Sequence, residues 1–201
     1  MSDLYRIATA LAVLTLCGCA TLSKSECQTG DWYSIGVRDG ANGQTEDRFL
    51  ENAKACAARG MPADRERWMQ GREHGLERYC TAPHGYQVGA AGENYRGVCL
   101  GPVEGEFMRG FQLGHQLAEA RDRHSHWDQE IHEIQQRLDR AKADDKHDGD
   151  RGDHAGKKAE YEPLTDDERV ALGVRLGIAI VKRDEAAGDM AAIEERSRQL
   201  H

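Results

Sequence analysis

Between Leu113 and Ala141 the apolar positions recur at alternating steps of four and three: Leu113, Leu117, Ala120, His124, Trp127, Ile131, Ile134, Leu138 and Ala141. That spacing is the heptad seam of a helix packed lengthwise on another. The pattern covers 104–143. It then gives way to Asp144-Asp145-Lys146-His147-Asp148-Gly149-Asp150, and the chain stays polar to Glu160 with no core-forming residue. Residues 144–163 therefore read as a charged flexible linker. Within 164–201 a last helix opens after Pro163-Leu164, where Thr165 and Glu168 have the spacing of a capping box. Val170, Val174, Ile178 and Val181 give this helix an apolar stripe, and it runs weakly past Gly188 to Leu200. The two helices together predict an antiparallel hairpin or coiled coil.

Three shorter helices are expected upstream. Asp31 can cap a helix from Trp32 to about Asn42-Gly43. A second covers Glu46–Arg59 and stops at Gly60-Met61-Pro62. A third starts near Ala63-Asp64 and ends at Tyr79. Thr81–Gly101 is rich in Gly and Tyr and reads as a loop with a short hairpin. An aromatic-x-x-Gly-x-x-x-Gly motif recurs as Tyr33…Gly36…Gly40, Trp68…Gly71…Gly75 and Phe107…Gly110…Gly114, with a looser copy Tyr86…Gly89…Gly92. Glycines four apart share one helix face and let another backbone come close. A mid-helix glycine costs about 0.5–1 kcal/mol against alanine, so these pairs need a packing reason. Charged neighbours exclude a membrane-embedded reading, and no lysine stands where a phosphate loop would need one.

The first residues carry an address. An apolar run from Ile7 to Leu16 follows Arg6 and is too short to span a bilayer. Leu16-Cys17-Gly18-Cys19 resembles the lipobox of bacterial lipoproteins, with a small residue before the cut and a thiol after it. The resemblance implies a signal peptide over 1–18 and a diacylglyceryl group on Cys19. Ala20 in place of Asp implies, by resemblance to enterobacterial sorting rules, the outer membrane, with the chain facing the periplasm.

Composition narrows the rest. A net charge of −8 disfavours nucleic acid as a partner, because phosphate binding needs a basic face. Of six cysteines, Cys17 leaves with the signal peptide and Cys19 takes the lipid; Cys27, Cys56, Cys80 and Cys99 remain. An even number in an exported chain indicates disulfides, whereas zinc sites use closer pairs than these. Of the three possible pairings, Cys27–Cys56 and Cys80–Cys99 keep both loops short. The fold class is thus mainly α: a small disulfide-stabilised helical domain with a Gly-rich loop over 19–115, then the long helix and the C-terminal helix.

Candidate chemistry is sparse. His124, Asp128 and His132 are four apart and could share a face beside His126, but seam-edge polar residues explain them without a metal. The Asp-rich linker fails the calcium-loop template, with Lys146 and Ala155 at ligand positions. No G-x-S-x-G, H-E-x-x-H or phosphate-loop motif occurs. Asp31, Asp39 and Glu73 are carboxylates of the Gly-rich domain, and Asp39 with Arg38 or Arg72 reads as a surface pair. Tyr86 and Tyr95 would suit sugar stacking, or plain packing. We expect no catalytic residue, cofactor or metal.

The pattern Cys27…Asp31-Trp32-Tyr33-x-x-Gly36-x-x-Asp39-Gly40, Ala55-Cys56, Gly71-Arg72-x-x-Gly75-Leu76, Tyr79-Cys80-Thr81 and Gly97-Val98-Cys99 resembles a family of bacterial lipoproteins built on a domain of unknown function. The resemblance covers about residues 10–120. It implies export, lipidation and a coiled-coil-like tail, and it implies no reaction. The expected function is a non-enzymatic interaction or scaffold module, anchored in the membrane through Cys19 and meeting an envelope protein through its helical tail. The alternative is an accessory protein that binds or modifies cell-wall glycan.

Overall fold

The computed structural model describes residues 22–148 and 164–200, so Cys19, its signal peptide and most of the 144–163 linker lie outside the described residues. Seven α-helices and no strand occur among the described residues. Helix α1 (Lys24–Thr29) is nucleated by a capping box: Ser23 Oγ accepts from the Glu26 amide, and the Glu26 carboxylate accepts from the Ser23 amide at 2.9 Å. Helix α2 (Trp32–Ala41) is capped by Asp31, whose carboxylate accepts from the Ser34 amide at 3.1 Å. Helices α3 (Asp47–Ala57) and α4 (Arg65–Tyr79) follow, the latter capped by Asp64. Then come α5 (Ala82–Ala90), α6 (Pro102–Asp148) and α7 (Asp166–Ser197), which ends in a 3-10 turn, Arg198–Leu200. The Thr165–Glu168 capping box forms as the sequence predicts.

Two of these helices depart from the sequence reading. Ala82–Ala90 is a helix, where a loop with a hairpin was expected. Pro83 sits in its first turn, where a missing N–H costs nothing. Its glycines face another helix and mark no turn. The six-residue α1 is the second, held by its capping box and by Cys27.

The chain divides into two compact units. One holds the described residues up to Thr81 together with Arg96–Glu104; the other holds Ala82–Tyr95 and the described residues from Gly105 onward. The first unit's core joins Leu22, Cys27, Trp32, Ile35, Phe49, Cys56 and Trp68. Phe49 lies between two tryptophans, its ring centroid 5.7 Å from that of Trp32 and 5.4 Å from that of Trp68. The Arg38 guanidinium binds the Glu26 carboxylate and ties α2 to α1. That bond, helped by Ser23, holds the Glu26 carboxyl down at about 2. The stabilisation is therefore present above the ordinary carboxylate range and fades as pH falls toward 2.

In the second unit α6 and α7 form the expected antiparallel hairpin. Arg123 meets Asp189 at 2.8 Å, Arg183 meets Asp128 at 3.7 Å, and Arg175 pairs with Glu130. Along α6 the predicted seam is the inward face: Leu117, Ala120, Ile131, Ile134 and Ala141 are buried, and the other four positions are half-buried. Along α7 the predicted stripe is the wrong face. Val170, Val174, Ile178 and Val181 are 67, 60, 52 and 55% exposed, whereas Leu172, Ala179, Ala186 and Ile193 are buried. The buried set recurs every seven residues down the helix, and that period lets two helices stay in contact along their length. The valine stripe fails because it stops at Val181.

Ile193→Ala should destabilise the hairpin by about 2–4 kcal/mol, the range for a buried isoleucine truncation. Val181→Ala should stay within about 0.5 kcal/mol, as exposed substitutions do. Thermal unfolding followed by circular dichroism distinguishes them; the reverse order would restore the valine stripe as the core face.

Candidate functional site

The most distinctive surfaces in both units are glycine faces. In the first unit α2 and α4 run parallel and touch backbone to backbone. A Cβ on Gly36 would strike the Trp68 carbonyl oxygen, and one on Gly40 that of Arg72. Reciprocally, Gly71 abuts the Tyr33 carbonyl and Gly75 that of Val37. Each added carbon would fall closer than the 3.0 Å that real side-chain carbons respect. The glycines on each helix thus meet the carbonyls three residues before the glycines on the other. The arrangement is a local two-fold, with the Cα–H groups directed at carbonyl oxygens.

The second unit repeats it. Gly85 and Gly89 of α5 abut the Phe107 and Phe111 carbonyls of α6, while Gly110 and Gly114 abut those of Ala82 and Tyr86. The fourth copy of the motif is therefore Ala82…Gly85…Gly89. The Tyr86…Gly89…Gly92 copy is corrected: Gly92 has φ +70 and follows the end of α5. An aromatic is not required at the leading position; Ala82 serves there because its carbonyl, not its side chain, makes the contact.

Beside the first pair lies a buried polar group. Asp39 is only 4% exposed, and its Oδ2 accepts from the Trp68 indole N–H at 2.9 Å and from the Asn52 amide nitrogen at 3.1 Å. Asn52 is fully buried, and its Oδ1 has no hydrogen-bond partner among the described residues. Burial pushes the Asp39 carboxyl above its ordinary range, against the pull of the Trp68 bond. The expected surface pair with Arg38 or Arg72 does not form. Arg38 goes to Glu26, while Arg72 lies over the Trp68 ring and donates to the Gln44 carbonyl at 2.9 Å. A buried carboxylate that accepts from both the Trp68 indole and the Asn52 amide is a core bracket joining α2, α3 and α4.

The other sequence candidates separate cleanly. Sulfur–sulfur bonds join Cys27 to Cys56 and Cys80 to Cys99. Asp31 is a helix cap, its carboxyl lowered by the Ser34 hydroxyl and amide. Tyr86 packs against the Leu117, Ala120 and Ile193 cluster, and Tyr95 lies 4.6 Å, ring to ring, from Phe107; both are half-buried. His124 approaches Asp128 at 3.4 Å and His132 contacts Gln136 at 2.7 Å. No group of three or more His, Cys, Asp or Glu among the described residues could hold a metal ion. No helix there is long and apolar enough to cross a membrane.

Residues 31–116 match a family described as a protein of unknown function (DUF2799). The matched stretch begins at the α2 cap and closes just beyond Gly114. It contains all four packed glycine pairs, Asp39, Asn52 and Trp68. No curated protein and no solved structure matches the chain.

Gly71→Ala should cost about 3 kcal/mol or more, because the obstacle is backbone and cannot move aside. Gly188→Ala, in open space on α7, should stabilise by about 0.5–1 kcal/mol. Urea unfolding of the two variants should give shifts of opposite sign.

Asp39→Ala would strand two buried donors at about 1–3 kcal/mol each, while Asp39→Asn keeps an acceptor and should cost less. Because the folded carboxyl is raised, its contribution is fully present below the ordinary value of 3.8 and is lost as pH rises through the folded value. The stability of wild type minus Asp39→Asn should therefore decline with rising pH across that window. A difference that grows with pH would contradict the burial account.

Proposed function

We propose that this chain is an exported, lipid-anchored envelope protein, held at the outer membrane through Cys19, and that its helical part is an interaction or scaffold module. The observation that carries this reading is the pair of disulfides. Such bonds persist in oxidising compartments and are rare in the reduced cytosol. They use all four cysteines that follow Leu16-Cys17-Gly18-Cys19. Closing loops of this size contributes about 3 kcal/mol each, a large share for a unit with so small a core. In this reading Cys19 supplies the membrane contact. The hairpin supplies reach, since a helix of 47 residues is roughly 70 Å long. Two carboxylates of the glycine-rich part, Asp31 and Asp39, serve as a helix cap and a core bracket, which favours a structural role for them over acid–base chemistry.

Cys19→Ala should leave an uncleaved precursor that takes no label from a palmitate analogue in growing cells. Normal labelling of that variant, or four free thiols in protein purified from the envelope, would contradict the proposal.

A further inference from the structure

Helix α7 carries a fifth glycine pair, Gly173 and Gly177, and nothing lies within 4 Å of where either Cβ would stand. The pair has the register of the four packed ones, with Val170 and Val174 in the positions that supply carbonyls elsewhere. Its surroundings are apolar and uncovered: Val170, Val174, Ile178 and Val181 are each more than half exposed. Between Val170 and Val181 the only charge is Arg175, whose guanidinium is turned to Glu130 of α6. Leu172, buried against the hairpin, stands between Val170 and Val174, so the open face is on the opposite side of the helix from α6. A helix that is apolar on both sides normally has both sides covered.

We infer that this face is covered by the same face of a second copy, so that two chains pair in parallel through α7. The chain's own geometry identifies the occupant. Each packed glycine pair in this protein meets another glycine pair, never a plain helix face, and each meeting is a local two-fold. A surface of that kind is complementary to itself, which is the property an isologous dimer needs. Among the described residues no other helical glycine pair stands open. Gly30, Gly43, Gly60, Gly92, Gly97 and Gly101 have positive φ, and Gly105 and Gly188 are single. In the dimer Gly173 faces the Val170 carbonyl of the other copy, Gly177 faces that of Val174, and the valines close around them. Contact along a few helical turns falls below the roughly 1,200 Å² of a standard interface, so the association is reversible. It depends on α7 alone and stands whether or not Cys19 carries a lipid.

The test is cysteine crosslinking of the full chain, in intact cells and after purification in mild detergent. Val174→Cys should give a species of twice the mass of the single chain on a non-reducing gel, removed by reductant. Gly173→Leu with Gly177→Leu in that background should abolish it. Helicity and unfolding temperature should hold or rise, because both positions are open in the single chain and leucine is the better helix former. Val170→Cys and Val181→Cys should each link to themselves and not to one another. The proposal is overturned if no doubled species forms, if it survives the leucine pair, or if Glu119→Cys on α6 crosslinks as readily. It is equally overturned if lipid vesicles shield Cys at 174 from thiol reagents with no doubled species, or if residue 170 links to 181.

Discussion

Backbone contact between parallel helices sets the geometry of both units. Glycines four apart remove the side chains that keep helices at their usual spacing, and the carbonyls of the facing helix fill the gap. The magnitudes show what this accomplishes. Each mid-helix glycine costs about 0.5–1 kcal/mol, and each Cα–H to carbonyl contact returns about the same. The pairs are therefore near neutral in stability and strong in specification, because any side chain there collides with a backbone that cannot yield. Stability comes from what flanks them: the Trp32, Phe49 and Trp68 cluster, the Tyr95 and Phe107 contact, and the two disulfides.

The same constraint explains where the buried polar groups fall. Two helices brought backbone to backbone leave the Trp68 indole beside α2, at a depth where its N–H has no access to water. Asp39 and Asn52 answer that need within one small network. The cost of burying a carboxylate appears as its raised proton affinity, and its return is that α2, α3 and α4 are fixed to one another.

Much of this was readable in advance, for identifiable reasons. The α6 seam was legible because heptad spacing continues for 29 residues, Leu113–Ala141, too long to arise from chance alternation. Caps at Asp31 and Thr165 were legible because side chain and amide lie within three residues of each other. The glycine faces were legible as faces, but not their partners, since nothing in a single segment says which other segment it meets. Helix α5 was hidden because Pro83, Gly85 and Gly89 are also the residues of turns. The α7 core face was hidden because two apolar stripes overlap between Val170 and Val181, and the bulkier one faces solvent in the single chain. Asp39 read as surface because a carboxylate's partner, 29 residues away in Trp68, cannot be seen from its neighbours.

The direct test of the paired-glycine account is through-space proton contact in solution. Nuclear Overhauser spectra of the full chain should show cross-peaks from Gly71 Hα to the Val37 amide and from Gly110 Hα to the Tyr86 amide. Both pairs place their atoms in contact across parallel helices. Absence of these peaks in a folded sample, or a set running in the antiparallel sense with Gly36 near the end of α4, would contradict it.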